Sequence, residues 1–550
     1  RFVYRPVNAN SLYSEGRRQI YTNNYAESMT YFDKAVKLWQ MKHWYYRYAE
    51  AFKKENQRAR AEEIYKRLLG YWPKEKRAAL DYAGMESEYY DYAKTERILQ
   101  EHILDRLYFD REALTLMAKN YLDWADSEEQ AYNPPEHEKI RNIYEKARLQ
   151  IATLMERHGR TDSNMEMMLL YLMRTDRFFD TDKRKDVMPF VDYALDNKKL
   201  KWRADTLAEL GNYLLDKGEL ENVSKILLKA VDADGSLPEA HAAMARWNRI
   251  ARFPKDELKA LEYAARFYKE TNEKTGLVSK RLKTWILSMM RLGELRLADG
   301  RSLDAEDAYR TAIENYERAV KSRIFRPEAR FGRAYSLLAD IYYMDRMDFA
   351  GALNFYERAE KDGYTSPETD YRRGYIHYNA QGNEFSQALR YFYRAGLDRD
   401  ASPYLVLATA NALYERGDYF ASTGYYSTLV KRLQFELDTI DLPSPQQRPS
   451  HKEMVELLMV AKNNLGASVY RVAERMGDGR RRAEAMLEFS ESARYFDSMS
   501  RDFTSMVRSD SKNLGFLNND FVLHPQRGID ISIYKVIPAE MDYPQGSGKN

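Results

Sequence analysis

Apolar positions along most of this chain recur as paired runs. Leu207, Leu210, Gly211 and Leu214 make one run, and Val223, Leu227 and Ala230 the next, with Pro238 soon after. His241, Met244, Ala245 and Asn248, followed by Glu257, Leu261 and Ala264, repeat the plan. Steps of three and four place each run on one face of a helix. In both pairs the small residue, Gly211 or Ala245, stands twelve positions before the second run begins. The small residue lets a partner helix lie close, so each pair predicts a helix hairpin. One hairpin is too small to bury its own apolar face, and tandem copies must stack to make a core.

Further units keep this spacing. Leu12, Gly16 and Gln19 precede Ser28, Phe32 and Ala35; Tyr45, Tyr48, Ala49 and Phe52 precede Ala61, Tyr65 and Leu68. Met289, Leu292 and Gly293 lead to Ala305, Tyr309 and Ala312, and Val406, Ala410 and Leu413 lead to Ser422, Tyr426 and Leu429. Ala339 and Gly374 head units with slightly longer turns, and Ala118 one with an insertion holding Asn133-Pro134-Pro135. Stretches near 79–99, 168–194 and 465–490 carry degraded forms. The array runs over 1–437 without a break in composition. Pro443, Pro445 and Pro449 then make 438–452 a proline-rich loop, since prolines so close cannot sit inside a helix. Helix resumes over 453–506, interrupted at Gly477-Asp478-Gly479. Residues 507–550 read as an extended tail, with Phe521-Val522-Leu523 and the alternating Ile529, Ile531 and Ile533 as extended segments. A solenoid needs its last face covered, so the tail is expected to cap the array, with a partner-binding strand as the alternative.

About eleven such units at a period of about 34 residues resemble the tetratricopeptide (TPR) family. The resemblance covers roughly residues 8–500. It implies an all-α right-handed superhelix of about eleven or twelve hairpins, acting by binding other proteins rather than by catalysis. The segment from His43 to Pro73 is also similar to half-a-TPR repeats of RNA-processing scaffolds. In TPR geometry the first helix of each unit lines a concave groove. The groove-facing places here hold Tyr371, Tyr375 and Tyr378 around Gly374, with Tyr343 and Tyr414 in neighbouring units and Tyr404 just ahead of the latter's helix. Tyrosine combines a large rigid surface with a hydrogen-bonding tip, which suits a partner site; packing between adjacent first helices is the competing assignment. Asn212 stands where carboxylate-clamp members carry Asn, but Glu239 and Ala243 occupy the places that need basic residues. Asn212, Arg246 and Arg249 are left as a modest anion-binding spot.

Composition narrows the function. The chain has 87 basic and 84 acidic residues, a net charge of +3, which gives no electrostatic footprint for nucleic acid. There are no cysteines, so disulfides and a thiol nucleophile are excluded, and an exported, oxidising setting, periplasmic or otherwise, is favoured, with the cytoplasm as alternative. No two of the eight histidines stand at helical ligand spacing. Asp232-Ala233-Asp234-Gly235 lacks the later ligands of a calcium loop, and Gly546-Ser547-Gly548-Lys549 lacks the first glycine and the following helix of a phosphate loop. No cofactor or metal is expected, and the array leaves no segment for a catalytic domain, unless one lies outside this sequence as in an enzyme with a repeat arm. Starting at Arg1 without an initiator Met, the chain reads as a piece of a longer protein, with room upstream for a signal or anchor. A long, Tyr- and Arg-rich, Cys-free array of this kind also resembles the collar proteins around the periplasmic flagellar motor of spirochaetes. That resemblance implies a scaffold in a larger assembly, with self-association open.

Overall fold

The computed structural model describes residues 4–277, 279–382, 384–398, 400–439, 448–499, 503, 507, 511–526 and 530–542. The fold is all-α, built from antiparallel helix hairpins in tandem. It divides into two compact units, residues 1–326 and 327–550. Among the described residues the first holds eight hairpins, from Tyr4–Tyr21 with Tyr25–Leu38 to Ser279–Ala298 with Ser302–Lys321. The second holds four, whose first helices are Ala329–Met344, Pro367–Tyr378, Pro403–Glu415 and Arg448–Met476. The division falls inside the stretch that the repeat pattern carries unbroken to 437. None of the described helices is long and apolar enough to cross a membrane.

The small residues do what their spacing requires. A Cβ on Gly211 would land inside the Leu227 side chain, and one on Gly293 inside the Tyr309 ring. On Gly374 it would lie 2.5 Å from Phe392, and on Gly466 2.8 Å from Phe489. Each of these large residues comes from the second helix of the same hairpin and is buried.

The turns share one geometry as well. Asn23, Asn56, Tyr90, Arg252, Gly300 and Gly417 all have φ between 55° and 88°. In each case the next residue's N–H reaches the carbonyl five positions back, as in Gln57 to Phe52 (2.8 Å), Phe253 to Asn248 (2.8 Å) and Asp418 to Leu413 (2.9 Å). This is a Schellman closure, in which a left-handed residue lets the chain cap the helix's last carbonyls. Starts are fixed by proline in the first turn at Pro238, Pro254, Pro367 and Pro403, and by side-chain caps such as Asp110 to the Ala113 N–H at 3.0 Å.

Three expectations need correction. Phe521-Val522-Leu523 is not extended but ends the helix Leu514–Leu523, capped by Asn513; Phe521 and Val522 pack against the C-terminal core while Leu523 is exposed. Helix restarts at Arg448, not 453, with Pro449 in the first turn where no N–H is needed. The hairpin after it ends at Ser498. The rest of the proline-rich stretch, Ile529, Met506, Pro544 and the Gly546–Lys549 motif lie outside the described residues. Among the described residues of the tail, 530–542 is the longest stretch outside helix.

Candidate functional site

The inner face of the C-terminal unit is formed by its first helices, and the extended segment 530–542 lies along it. Burial alternates only at its start, where Ile531 and Ile533 are buried; beyond it Lys535 and Val536 are both exposed and Ile537 is buried again. The Tyr534 ring is buried too. What holds the segment is mostly directed at its backbone. Tyr378 donates to the Lys535 carbonyl (2.8 Å), Tyr371 to Pro538 (2.7 Å) and Tyr343 to Ala539 (2.6 Å). The Ser402 hydroxyl donates to Met541.

Asparagines grip the other end. The Asn464 amide donates to the Tyr534 carbonyl (3.0 Å) and accepts the Tyr534 N–H (2.8 Å). Asn518 does the same to Ser532, at 2.8 and 3.0 Å. An amide that pairs with the N–H and C=O of one residue imitates a neighbouring β-strand. Asn411 and Asn463 add donors to the same two carbonyls, and Tyr426 donates to Asn411 at 2.6 Å. Each buried amide in this set is therefore satisfied from more than one side.

One partly buried charge marks the segment's far end. Arg372 forks onto Glu540 (Nη2–Oε2 2.8 Å, Nε–Oε1 3.0 Å) and its other nitrogen reaches Asp340 at 2.6 Å. Burial alone would lower the guanidinium's proton affinity; the hydrogen bond to Glu540 and the charge of Asp340 more than offset this. Burial pushes the Asp340 carboxyl up, against the pull of Arg372. Exposed pairs, Lys535–Glu415 (3.0 Å) and Arg471–Asp530 (2.7 Å), flank the segment. Burial pushes up the hydroxyls of Tyr343, Tyr371 and Tyr378, and those of Tyr404, Tyr414 and Tyr534 to about 12.

The six tyrosines singled out by sequence therefore gather at this face, in three settings. Tyr343 and Tyr378 meet the segment directly. Tyr371 does so with its hydroxyl only; its ring is not turned away from the hairpin interior, as its spacing from Gly374 suggested, but packs 5.6 Å from Phe392. Tyr375 contacts Tyr343 (5.8 Å) and Phe349 and packs against the apolar cluster that includes Ile537. Tyr404 and Tyr414 are buried at the base, Tyr414 against Tyr419 at 5.1 Å. Sequence reasoning missed Arg372, Asn411, Asn463, Asn464 and Asn518. The signal was there: Asn463-Asn464 interrupts the apolar run Leu457–Leu465, and a polar pair on a buried face needs a partner.

The anion spot does not form as expected. Arg246 meets Asn212 at 2.8 Å, but Asp216 takes its other nitrogen at 2.7 Å and supplies the negative charge itself. Arg249 is exposed and joins neither. Within the N-terminal unit a different cluster appears. Arg174 pairs with Glu209 (3.2 Å), Arg177 with Asp126 (2.9 Å) and Glu129 (3.1 Å), and Lys280 spans to Glu209 (3.3 Å). It borders a cavity of about 800 Å³ whose walls include Tyr90, Tyr92, Lys119, Asp126, Lys280 and Arg323. No group of three or more His, Cys, Asp or Glu among the described residues is arranged to hold a metal.

No family model and no curated protein matches this sequence. Among solved structures, a human IFIT1 dimer with m7Gppp-AAAA aligns over 78% of this chain and 94% of its own, at 11% identity and a TM-score of 0.38. Yeast Tom70 aligns over 77% and 91%, at 13% and 0.30. The C-terminal part of a TPR repeat-containing protein from Cytophaga hutchinsonii aligns over 51% and 98%, at 12% and 0.31. At such scores none of them bears on what this chain binds.

Proposed function

We propose that this protein is a non-catalytic scaffold that holds other proteins in a larger assembly, using the inner faces of its helix hairpins. The observation that carries this reading is the C-terminal unit's face. It already holds a stretch of extended polypeptide by main-chain hydrogen bonds, apolar sockets and ion pairs, which are the means by which repeat arrays grip partners. Tyrosine, prominent on this face beside asparagine, is enriched at protein–protein contacts. The finer reading, a periplasmic collar component of a flagellar motor, is supported by the cysteine-free, tyrosine- and arginine-rich composition. Affinity purification of the tagged full chain from its own cells, after mild cross-linking, tests both. Stoichiometric protein partners are expected, with motor components and a periplasmic location for the finer reading. A chain recovered alone sinks the scaffold, and a cytoplasmic location sinks the collar.

A further inference from the structure

We infer that the inner face of the C-terminal unit is a receptor for an extended segment of another protein, and that residues 530–542 are its built-in stand-in ligand. The inference rests on the scaffold reading and names the partner's chemistry. A buried extended segment must have its main-chain polar groups paired, and the unit's side chains supply that pairing. Here Ser532, Tyr534, Lys535, Pro538, Ala539 and Met541 all have their carbonyls bonded by side chains of the unit. Hydrogen bonds to carbonyls recognise an extended chain whatever its side chains, and they accept proline, as at Pro538. The side chains add a readable pattern to this. Ile531, Ile533, Tyr534 and Ile537 fill sockets, and Glu540 supplies the carboxylate that Arg372 needs. The partner segment is thus β-branched at alternate positions, aromatic next, then aliphatic, proline and an acidic residue, after Ile-Ser-Ile-Tyr-Lys-Val-Ile-Pro-Ala-Glu at 531–540.

The occupant is another protein rather than a second copy of this chain. Identical tails differ only in tethering. The tail in cis sits at an effective concentration on the order of millimolar, so an untethered copy of it loses at any ordinary protein concentration. A foreign segment wins by fitting better or by being linked to a second contact. Removing the tail takes Glu540 from Arg372 and the Ser532 and Tyr534 main-chain partners from Asn518 and Asn464, and leaves Arg372 its bond to Asp340.

The test uses the full chain. Asp542 is exposed, and the chain has no cysteine of its own, so Asp542→Cys takes a single fluorophore at the tail's end. A synthetic peptide of residues 530–542 at millimolar concentration is expected to displace the labelled tail and lower its anisotropy. A peptide with Glu540→Lys should do so at least tenfold less well. In a second arm the chain carries Ile533→Asp and Ile537→Asp, which weaken its own tail. Labelled wild-type peptide should bind this chain at least tenfold more tightly than the unsubstituted one. Arg372→Glu should abolish the gain, and a Glu540→Arg peptide should restore it. Three results overturn the inference: anisotropy unmoved by peptide, loss of the unit's helix content when the tail is weakened, or dimers formed by tail exchange. Co-purified partners persisting alongside any of these leave the scaffold reading standing and remove only the peptide site.

Discussion

Arg252 occupies a left-handed turn (φ 62°) that most of the other hairpins named above fill with Asn or Gly, and it is exposed. A side chain in that conformation crowds its own carbonyl, at a cost of about 1–2 kcal/mol. Arg252→Gly should therefore raise the free energy of unfolding by about 1 kcal/mol in denaturant titration, while Arg252→Ala, which keeps the Cβ, should not. The small residues inside hairpins predict the opposite sign. Gly293→Ala places a methyl in the Tyr309 ring, which is fully buried and rigid, so overpacking of about 1–3 kcal/mol is expected. In a Tyr309→Ala background the same change should cost little. Additive losses in this double-mutant cycle would show that the two residues do not meet.

At the scale of elements, the hairpins were legible in the sequence because their packing is local. Gly211 to Val223 and Gly293 to Ala305 fix which faces meet without reference to any distant residue. The extended tail was legible from its alternation, but its place was not. Tyr343, Tyr371 and Tyr378 announced a polar-tipped aromatic surface, yet what covers them stands 157 to 196 positions away, and no local period encodes such a pairing. Phe521-Val522-Leu523 went the other way, since three apolar residues in a row fit helix and strand equally. The tail's attachment makes its own prediction. The hydroxyls of Tyr343, Tyr371 and Tyr378 donate to it, and burial raises all three above the ordinary value of about 10. A group raised in the bound state contributes stability that is complete below its free value and lost as pH climbs toward the raised one. A fluorophore at Asp542→Cys should thus keep its anisotropy to about pH 10 and lose it above. With Tyr371→Phe and Tyr378→Phe, which cannot ionise, the loss should be shallower. Release already complete by pH 8 would mean that these hydroxyls do not hold the tail.

At the scale of the whole molecule the two units differ in how acid should reach them. In the N-terminal unit burial pushes up the carboxyls of Glu62, Asp126 and Glu209, but neighbouring cations outweigh it: Lys66 and Lys94 at Glu62, Lys280 and Arg174 at Asp126, Arg174 and Lys280 at Glu209. All three end below the ordinary range, Glu62 at about 2. Such groups stabilise the fold above the unfolded value of about 4 and cease to do so as pH falls toward the folded one. In the C-terminal unit burial wins at Asp340, Asp370 and Glu453, whose carboxyls are raised. Protonating them relieves buried charge, so acid favours that unit's fold where it weakens the other's; Glu360, which is lowered, tempers this, as do Asp81 and Glu239, which burial raises, in the N-terminal unit. In a tandem array each hairpin depends on its neighbours alone, so the two responses need not merge. The sequence supplies a reporter for each. All seven tryptophans, from Trp39 to Trp285, lie in the N-terminal unit, and a label at Asp542→Cys lies in the C-terminal one. Titrated from pH 6 to pH 2, tryptophan emission should shift to the red before the label's anisotropy falls. Lys280→Met, which leaves Asp126 and Glu209 with one cation fewer, should move the emission change to higher pH and leave the anisotropy curve in place. Coincident transitions, or an anisotropy change that comes first, would show that the ion cluster does not set the N-terminal unit's acid limit.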